Sequence, residues 1–359
     1  MQNFKKLLFL LTPQEIRNGC LLLVMILIMA FLEMIGVASI LPFIAVLTNP
    51  SLIETNSILK ETFQLSKIYG VKDSQHFLFV LGVIVFLLLV FSLFFKALTT
   101  YVQLRYIQMR EYSISKRLVE KYLHQPYSWF LGRHSADLGK TILSEVSTIV
   151  GGFLKPLLNI ITKGMVVLAL ITLLILTDPK LAIIMGFTLS LIYGVIILLV
   201  RRYLSRLGKE RLIKNQLRYE AVSEAFGAAK EIKTGGLEQA YIERFSEPAR
   251  IFAQNITSAR ILSQLPHFIL EAIAFGGVML MILYLMLQKG SFINALPVIS
   301  LYVYAGYRLM PGLHGIYVSI VSFVFVGPSL EKLYLDMKNL DPINYSQDQS
   351  VLSINKCIN

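Results

Sequence analysis

Residues 201–263 read RRYLSRLGKERLIKNQLRYEAVSEAFGAAKEIKTGGLEQAYIERFSEPARIFAQNITSARILS, a basic stretch between two apolar runs. Ala, Glu, Lys, Leu and Gln, which favour helix, are frequent in it, and Pro248 is its single proline. Residues 105–125 have the same character after an earlier apolar run. Neither stretch has a strand pattern or enough apolar residues for a core of its own. Both are therefore predicted to be helical extensions of the apolar runs; the alternative is a separate solvated domain.

The apolar runs are long enough to cross a membrane. Of the 359 residues, 55% are hydrophobic and only 16% are charged, which leaves too little charge for the surface of a soluble protein. Each crossing must be a helix of about 20 residues, because lipid offers no hydrogen bonds to backbone groups. The sequence therefore predicts an all-α membrane protein with six transmembrane helices and long cytoplasmic extensions. The predicted spans are 19–47, 76–104, 153–176, 179–200, 265–287 and 292–326.

The net charge of +12 comes mainly from the stretches 105–155 and 201–260. Cytoplasmic segments retain Lys and Arg, so both stretches and both termini are predicted to be cytoplasmic, with residues 1–18 as an N-terminal segment. No basic–aromatic module accompanies the charge, which argues against a nucleic-acid partner. Cys20 and Cys357 give neither a disulfide framework nor a metal-binding spacing.

Two short segments carry a resemblance to a known family, YSWFLG at 127–132 and EIKTGGLE at 231–238. In order and placement they resemble the two intracellular loops of the type 1 transmembrane domain of ABC exporters. The resemblance implies such a domain over 19–327, with coupling loops at about 125–140 and 225–240 that dock on nucleotide-binding domains. It also implies a second copy of the chain as partner, with helices exchanged between the two. The expected coupling residues are Tyr127, Trp129, Phe130, Glu231, Lys233, Gly235 and Glu238.

Motifs in the first, fifth and sixth spans narrow the resemblance: FLE at 31–33, LPFI at 41–44, Pro266 with Glu271, and YRLMP at 307–311. They resemble the PglK-type flippases of lipid-linked oligosaccharides, and the similarity covers essentially the whole chain. Residues 51–70 resemble the external helix that this family uses against the lipid tail. As an amphipathic segment they equally fit an interfacial helix without specificity. The resemblance implies a location in the bacterial inner membrane.

The chain has no motif for ATP hydrolysis. Its nearest approach is Leu138-Gly139-Lys140-Thr141, but a P-loop needs a glycine at the position of His134. No cofactor or metal is expected in this chain, and ATP and Mg²⁺ are expected only in a partner or missing nucleotide-binding domain. Residues 328–359 are predicted to be a linker and the start of such a domain, because VLSINKCIN at 351–359 resembles its opening strand. The chain is accordingly expected to be a fragment, a truncated product or half of a split transporter.

Ionisable residues inside membrane helices are costly and usually face a cavity or a partner. The candidate substrate-binding residues are Glu33, Lys96, His267, Glu271 and Arg308. Arg308 lies about 24 Å along the sixth span, beyond the reach of the outer surface. One hypothesis is that Arg308, Lys96 and His267 bind the pyrophosphate of a polyprenyl-linked sugar, since a guanidinium group bonds two phosphate oxygens at once. The alternative is that Arg308 pairs with Glu271 or Glu33 and only locks helices together.

Lys163, in the third span, is interpreted as a residue that snorkels to the cytoplasmic surface. The match to the basic cavity of the resembling family is partial, because Lys96 and His267 stand where arginines are expected from the resemblance. Gly315 stands at a position that is usually basic in the resembling family. A different lipid headgroup is therefore also considered.

The predicted function is that of the transmembrane subunit of an ATP-driven flippase. It would move a lipid-linked oligosaccharide, or a similar glycolipid, from the cytoplasmic to the periplasmic leaflet. Whether the chain is an enzyme is left open, because ATP hydrolysis would belong to the complete transporter. The alternatives are an exporter of another lipid or of peptides, and a truncated remnant that transports nothing.

Overall fold

A computed structural model of the chain describes residues 2–39, 43, 46, 47, 63, 74–177, 179–287 and 292–340, although some side chains inside these ranges are not described. Every regular element in this part of the chain is a helix, which confirms the all-α prediction. The predicted external helix at 51–70, apart from position 63, and the segment 341–359 lie outside the described residues.

The described helices differ greatly in length, and four of them have about 50 residues. Two π-helical segments, Thr141–Glu145 and Val150–Leu154, interrupt the region between the fifth and seventh helices. The α-helices are α1 (Gln2–Leu10), α2 (Pro13–Ala38), α3 (Ser74–Leu123), α4 (Tyr127–Leu131), α5 (Ser135–Lys140), α6 (Val146–Ile149), α7 (Lys155–Thr177), α8 (Pro179–Gly227), α9 (Ala229–Gly235), α10 (Glu238–Leu287) and α11 (Phe292–Lys338).

The long helices continue from apolar runs into basic stretches without a break. The 49 residues of α8 span about 74 Å, more than twice the roughly 30 Å of a bilayer's hydrocarbon core. Pro179 stands at the first position of α8, where its missing N–H costs nothing, and no other proline lies in that helix. Residues 201–263 are therefore helical on both sides of the short helix α9.

Four helical stretches among the described residues are long and apolar enough to cross a membrane. They are Pro13–Gly36, Gln75–Leu123, Ser135–Thr172 and Leu309–Lys338. These stretches contain most of the predicted first, second and third spans and the second half of the sixth. The predicted spans 179–200 and 265–287 lie in α8 and α10, where only part of the side chains is described.

Two of the four apolar clusters among the described residues connect most of the long helices. The larger one joins α1, α2, α3, α7 and α11, and its side chains include the fully buried Leu10, Leu118 and Leu330. The second joins α8, α10 and α11 around Tyr193 and Tyr317, whose rings lie 5.4 Å apart. Because α11 takes part in both clusters, it connects the first three predicted spans to the long hairpin of α8 and α10.

The N-terminal segment is more ordered than the prediction for residues 1–18 implies. It forms α1, and α2 begins at Pro13 instead of residue 19. The backbone N–H of Thr12 donates to the Glu15 carboxylate at 2.8 Å, and the Glu15 N–H donates to the Thr12 hydroxyl at 3.3 Å. This reciprocal capping box explains the earlier helix start, and its Thr-x-x-Glu pattern is present in the sequence.

The sixth predicted span also extends beyond its predicted end at 326. Helix α11 continues to Lys338, so the first part of the segment 328–359, predicted as a linker, prolongs this helix. Leu330, Leu333 and Met337 are buried and recur at helical spacing. These three side chains pack in the larger apolar cluster and so stabilise the part of α11 that follows Pro328.

Helices α8 and α11 approach each other very closely at Gly208. A Cβ atom at this position would lie 2.1 Å from the backbone carbonyl oxygen of Phe325. A side chain of any size would therefore push the two helices apart. Gly208 lies in the basic part of α8, so this contact joins the extension of α8 directly to α11.

Candidate functional site

Two short helices lie where long helices end, and they coincide with the expected coupling loops. Helix α4 follows α3 after a break at residues 124–126, and α9 separates α8 from α10. Helix α9 ends at Gly236, whose φ of 63° is left-handed and favours glycine. The N–H groups of Gly236 and Leu237 both donate to the carbonyl of Ile232, which closes the helix and turns the chain into α10.

In α4, one aromatic side chain is anchored and another is exposed. The ring of Trp129 packs on Tyr122 at 5.4 Å and on Phe130 at 5.1 Å, and the guanidinium of Arg133 lies 4.3 Å from its centroid. Tyr127 is 78% exposed. The packed Trp129 and Phe130 thus fix the helix, and Tyr127 is presented at its surface.

Beside α9, an apolar groove of about 500 Å³ lies between α8 and α10. Phe226, Ile242 and Phe245 line it, and Phe226 is 79% exposed. An apolar side chain so exposed outside the predicted membrane is typical of a protein contact surface. Tyr127 and this groove are exposed apolar features of the two expected coupling loops.

The polar residues expected in the second coupling loop lie at the surface of α9 and at the start of α10. Lys233 donates to the Glu238 carboxylate at 2.9 Å, an exposed ion pair that joins α9 to the start of α10. The hydrogen bond from Lys233, together with a backbone hydrogen bond at Glu238 itself, lowers the pKa of Glu238. Glu231 is exposed, and Gly235 is the last residue of α9.

A buried ion pair joins three elements. Arg211 of α8 donates to Glu145 at 2.9 Å and to the hydroxyl of Ser329 on α11 at 2.6 Å. Asn215 also donates to Glu145, at 2.8 Å. The side chains of Arg211 and Glu145 are only 3% and 4% exposed, so each needs the other as a counter-charge. Sequence reasoning missed this network.

The segment 138–141, which lacks the first glycine of a P-loop, lies at the end of α5 and the start of the following π-helical segment. Asp137 and Lys140 lie in α5, and the Lys140 ammonium, which is fully buried, donates to Asp137 at 2.5 Å. Lys332 of α11 lies 3.5 Å from the same carboxylate. Lys140 is thus held inside the fold by its pairing with Asp137.

Inside the predicted spans, Glu33 and Lys96 form one pair. The Lys96 ammonium donates to Glu33 at 3.0 Å and joins α2 to α3. The described partner of Glu33 is therefore Lys96, whereas the hypothesis had Arg308 as its possible partner. The side chain of Arg308 lies outside the described residues, although its backbone is part of α11.

His267 belongs to a second group, between α10 and α11. Its imidazole lies 3.9 Å from the Glu271 carboxylate, one turn further along α10. The ring of His314 on α11 lies 4.8 Å from that of His267, centroid to centroid. Sequence reasoning missed His314, although an ionisable residue within the predicted sixth span was signal enough. The contacts among described side chains do not join this group to Lys96.

The sequence pattern of the ABC transporter transmembrane region matches residues 20–311, more than three quarters of the chain. The chain belongs to this family. It is therefore a membrane protein that crosses the bilayer more than once, as its apolar helices also indicate. The resemblance to the transmembrane domain of ABC exporters is confirmed. The resemblance to the PglK-type flippases stays a hypothesis.

The fold of this ABC transporter transmembrane region is similar to that of a bacterial Atm1-family ABC exporter whose structure was solved with ATP bound. The TM-score is 0.59 at 17% sequence identity, over 89% of this chain and 53% of that exporter. At this identity the similarity shows the ABC exporter fold alone. The chain spans about half the length of the exporter that it matches.

Proposed function

We propose that the chain is the transmembrane subunit of an ATP-driven exporter with six spans and cytoplasmic termini in a bacterial inner membrane. Two copies would assemble with nucleotide-binding domains, which bind the ATP and Mg²⁺. The proposed substrate is a lipid-linked oligosaccharide or similar glycolipid, moved from the cytoplasmic to the periplasmic leaflet.

The observation that carries the proposal is the continuity of α8 and α10 from apolar runs to an exposed apolar tip. Each helix has about 50 residues, and only the seven-residue α9 lies between them. Rods of this length transmit a push at the tip into the membrane-spanning part, because a helix is stiff along its axis. The exposed side chains of Tyr127 and Phe226 give the nucleotide-binding domain an apolar surface to bind.

Lys96 and His267 are proposed as further contacts of an anionic substrate. Each is oriented by an acidic neighbour, since Lys96 pairs with Glu33 and the His267 imidazole lies 3.9 Å from the Glu271 carboxylate. In this account Arg308 is the main phosphate ligand, because its planar fork bonds two oxygens. A sugar diphosphate on a long isoprenoid tail is a substrate that presents two phosphates at this depth.

Binding to the purified full-length chain in lipid nanodiscs tests this substrate class. We expect saturable binding of a fluorescent polyprenyl diphosphate disaccharide and no saturable binding of the same polyprenyl chain with an uncharged alcohol head. Arg308→Ala should lower the affinity by about ten-fold, the usual effect of losing a charge-assisted hydrogen bond. Arg105→Ala is the control, because Arg105 is exposed and lies at the predicted edge of the second span.

Equal binding of the alcohol and the diphosphate would contradict the proposal. A chain that binds an apolar peptide saturably, and no polyprenyl diphosphate, would be a peptide exporter instead. A chain that binds neither would be the remnant that transports nothing.

A further inference from the structure

The helix that leads into the third predicted span changes its hydrogen-bonding pattern twice. The π-helical segments Thr141–Glu145 and Val150–Leu154, here called the first and the second π segment, lie before α7 with the short helix α6 between them. A π-helix pairs each residue with the fifth one along instead of the fourth, so each segment takes up about one residue more than an α-helix. The second π segment includes residue 153, the predicted start of the span.

The extra residue of the second π segment keeps both of its flanks on one face. Val146, before the segment, and Leu158, after it, are both buried in the larger apolar cluster. They are twelve residues apart, which in an α-helix corresponds to three turns plus about 120°. When the π segment takes up one residue, the offset falls to about 20°. Both side chains therefore face the core.

The first π segment is firmly anchored to neighbouring helices. Its last residue, Glu145, accepts hydrogen bonds from Arg211 at 2.9 Å and from Asn215 at 2.8 Å, both on α8. The hydroxyl of Ser115 on α3 donates to the backbone carbonyl of Ile142 at 3.1 Å. The cytoplasmic side of this helix is thus joined to α8 by a buried ion pair.

The second π segment is held by weaker polar contacts. It contains Gly151 and Gly152, and glycine is the poorest helix former after proline. A Cβ at Gly151 would meet nothing within 4 Å among the described residues. The carbonyl of Gly152 accepts a hydrogen bond from the Ser322 hydroxyl of α11 at 2.8 Å. A neutral hydrogen bond of this kind contributes less than one to a charged group, such as the bond between Arg211 and Glu145.

The backbone at the ends of the second π segment is already close to α-helical geometry. The φ and ψ angles are −69° and −45° at Ile149, −64° and −47° at Val150, and −60° and −49° at Lys155. An exchange between the two hydrogen-bonding patterns therefore needs only small changes of torsion angle. Sharp bends in helices also occur mostly at π-bulges, glycines and prolines. The segment can change its angle without unfolding.

From these contacts we infer that the second π segment is a hinge at which the third predicted span, α7, tilts against its cytoplasmic extension. The first π segment stays with α8 through Glu145, and the two glycines supply the freedom to bend. A movement of the expected coupling loop at 125–140 thereby reaches α7 as a change of tilt. The inference goes beyond the proposed function, because it concerns how the third span moves and is independent of what the protein transports.

The distance between two spin labels on either side of the hinge measures this tilt. Leu143→Cys and Leu168→Cys place the labels at positions that are 75% and 63% exposed. The full-length chain, with Cys20 and Cys357 replaced by serine, is studied in nanodiscs by double electron–electron resonance. Labelled chain is diluted with unlabelled chain, so that pairs of labels from two copies are rare.

An equally spaced pair on α3 is the matched control. Phe94→Cys and Val119→Cys are also 25 residues apart and exposed, and α3 is uninterrupted between them. The mean distance should be about 38 Å for the α3 pair and about 35 Å for the hinge pair, since two residues are taken up by the π segments. The distance distribution of the hinge pair should be at least twice as wide as that of the α3 pair.

Deletion of Gly151 removes the extra residue and so the hinge. Because the flanks then keep their faces, the unfolding temperature should stay within a few degrees of the wild type, and the distribution should narrow to the width of the α3 pair. Deletion of Gly164, within the regular helix α7, is the control. It turns the residues beyond it by about 100° and should lower the unfolding temperature by more than about 10 °C. Gly151→Ala, a milder change, should narrow the distribution by about half.

Three results would overturn the inference. One is a wild-type hinge pair whose distribution is as narrow as that of the α3 pair. Another is a broad distribution that persists after deletion of Gly151 or in Gly151→Ala. The third is a loss of stability on deletion of Gly151 equal to that on deletion of Gly164, because the second π segment would then hold no extra residue. Each of these results leaves the proposed function standing, since lipid binding tests that function separately.

Discussion

Arg211→Met should lower the stability of the chain by about 3–5 kcal/mol, the usual cost of leaving one partner of a buried ion pair alone. The variant removes the donor that holds Glu145 at 2.9 Å and Ser329 at 2.6 Å. Glu145 is only 4% exposed and would keep Asn215 as its described hydrogen-bond partner. The measurement is thermal unfolding in detergent, followed by the fluorescence of Trp129, which is the only tryptophan.

Two further variants identify the cause of this loss. Arg206→Met removes an arginine from an exposed position of the same helix and should change the unfolding temperature little. The double variant Arg211→Met/Glu145→Leu removes both charges and should recover much of the loss, because a buried pair can be replaced by apolar residues of similar volume. An equal loss in Arg206→Met, or no loss in Arg211→Met, would show that the pair does not join α8 to α11.

Gly208→Ala should destabilise the chain by about 1–3 kcal/mol or more, even though Ala is the better helix former. The new methyl group would lie 2.1 Å from the carbonyl oxygen of Phe325, and a backbone atom cannot move aside as a side chain does. Helices α8 and α11 would therefore have to separate. The unfolding temperature in detergent reports the effect.

Gly194→Ala provides a matched control within the same helix. A Cβ at Gly194 would meet nothing within 4 Å, so this variant should be neutral or slightly stabilising. If Gly208→Ala behaved in the same way as Gly194→Ala, the close contact of the two helices would be refuted. Together with the ion pair of Arg211, Gly208 accounts for the rigid attachment of the α8 extension to α11.

Much of the architecture could be predicted because it depends on local composition. The helix-forming stretch 201–263 predicts the long α8 and α10, and the sixth span was predicted to begin near Phe292, where α11 does begin. The end of α11 was missed because Leu330 and Leu333 extend the helix through tertiary burial instead of a local signal. The start of α2 was missed for a different reason, since its capping box is visible in the sequence.

The candidate site could be predicted only as a set of residues. Spans and their ionisable members follow from hydropathy, but the rotation of each helix about its axis does not. The pairing of Lys96 with Glu33, the neighbourhood of His267 and His314, and the buried pair of Arg211 with Glu145 all depend on this rotation. The contact of Lys163 with Gly315 is of the same kind.

Labelling of single cysteines in spheroplasts tests most directly whether the α8–α9–α10 hairpin is a cytoplasmic lever. In a background with Cys20 and Cys357 replaced by serine, Lys230→Cys places a thiol at the exposed tip of the hairpin. Ser57→Cys, in the loop predicted to be periplasmic, is the reference. A membrane-impermeant maleimide should label Ser57→Cys in intact spheroplasts and Lys230→Cys only after permeabilisation. Labelling of Lys230→Cys in intact spheroplasts would place the hairpin outside and contradict the account.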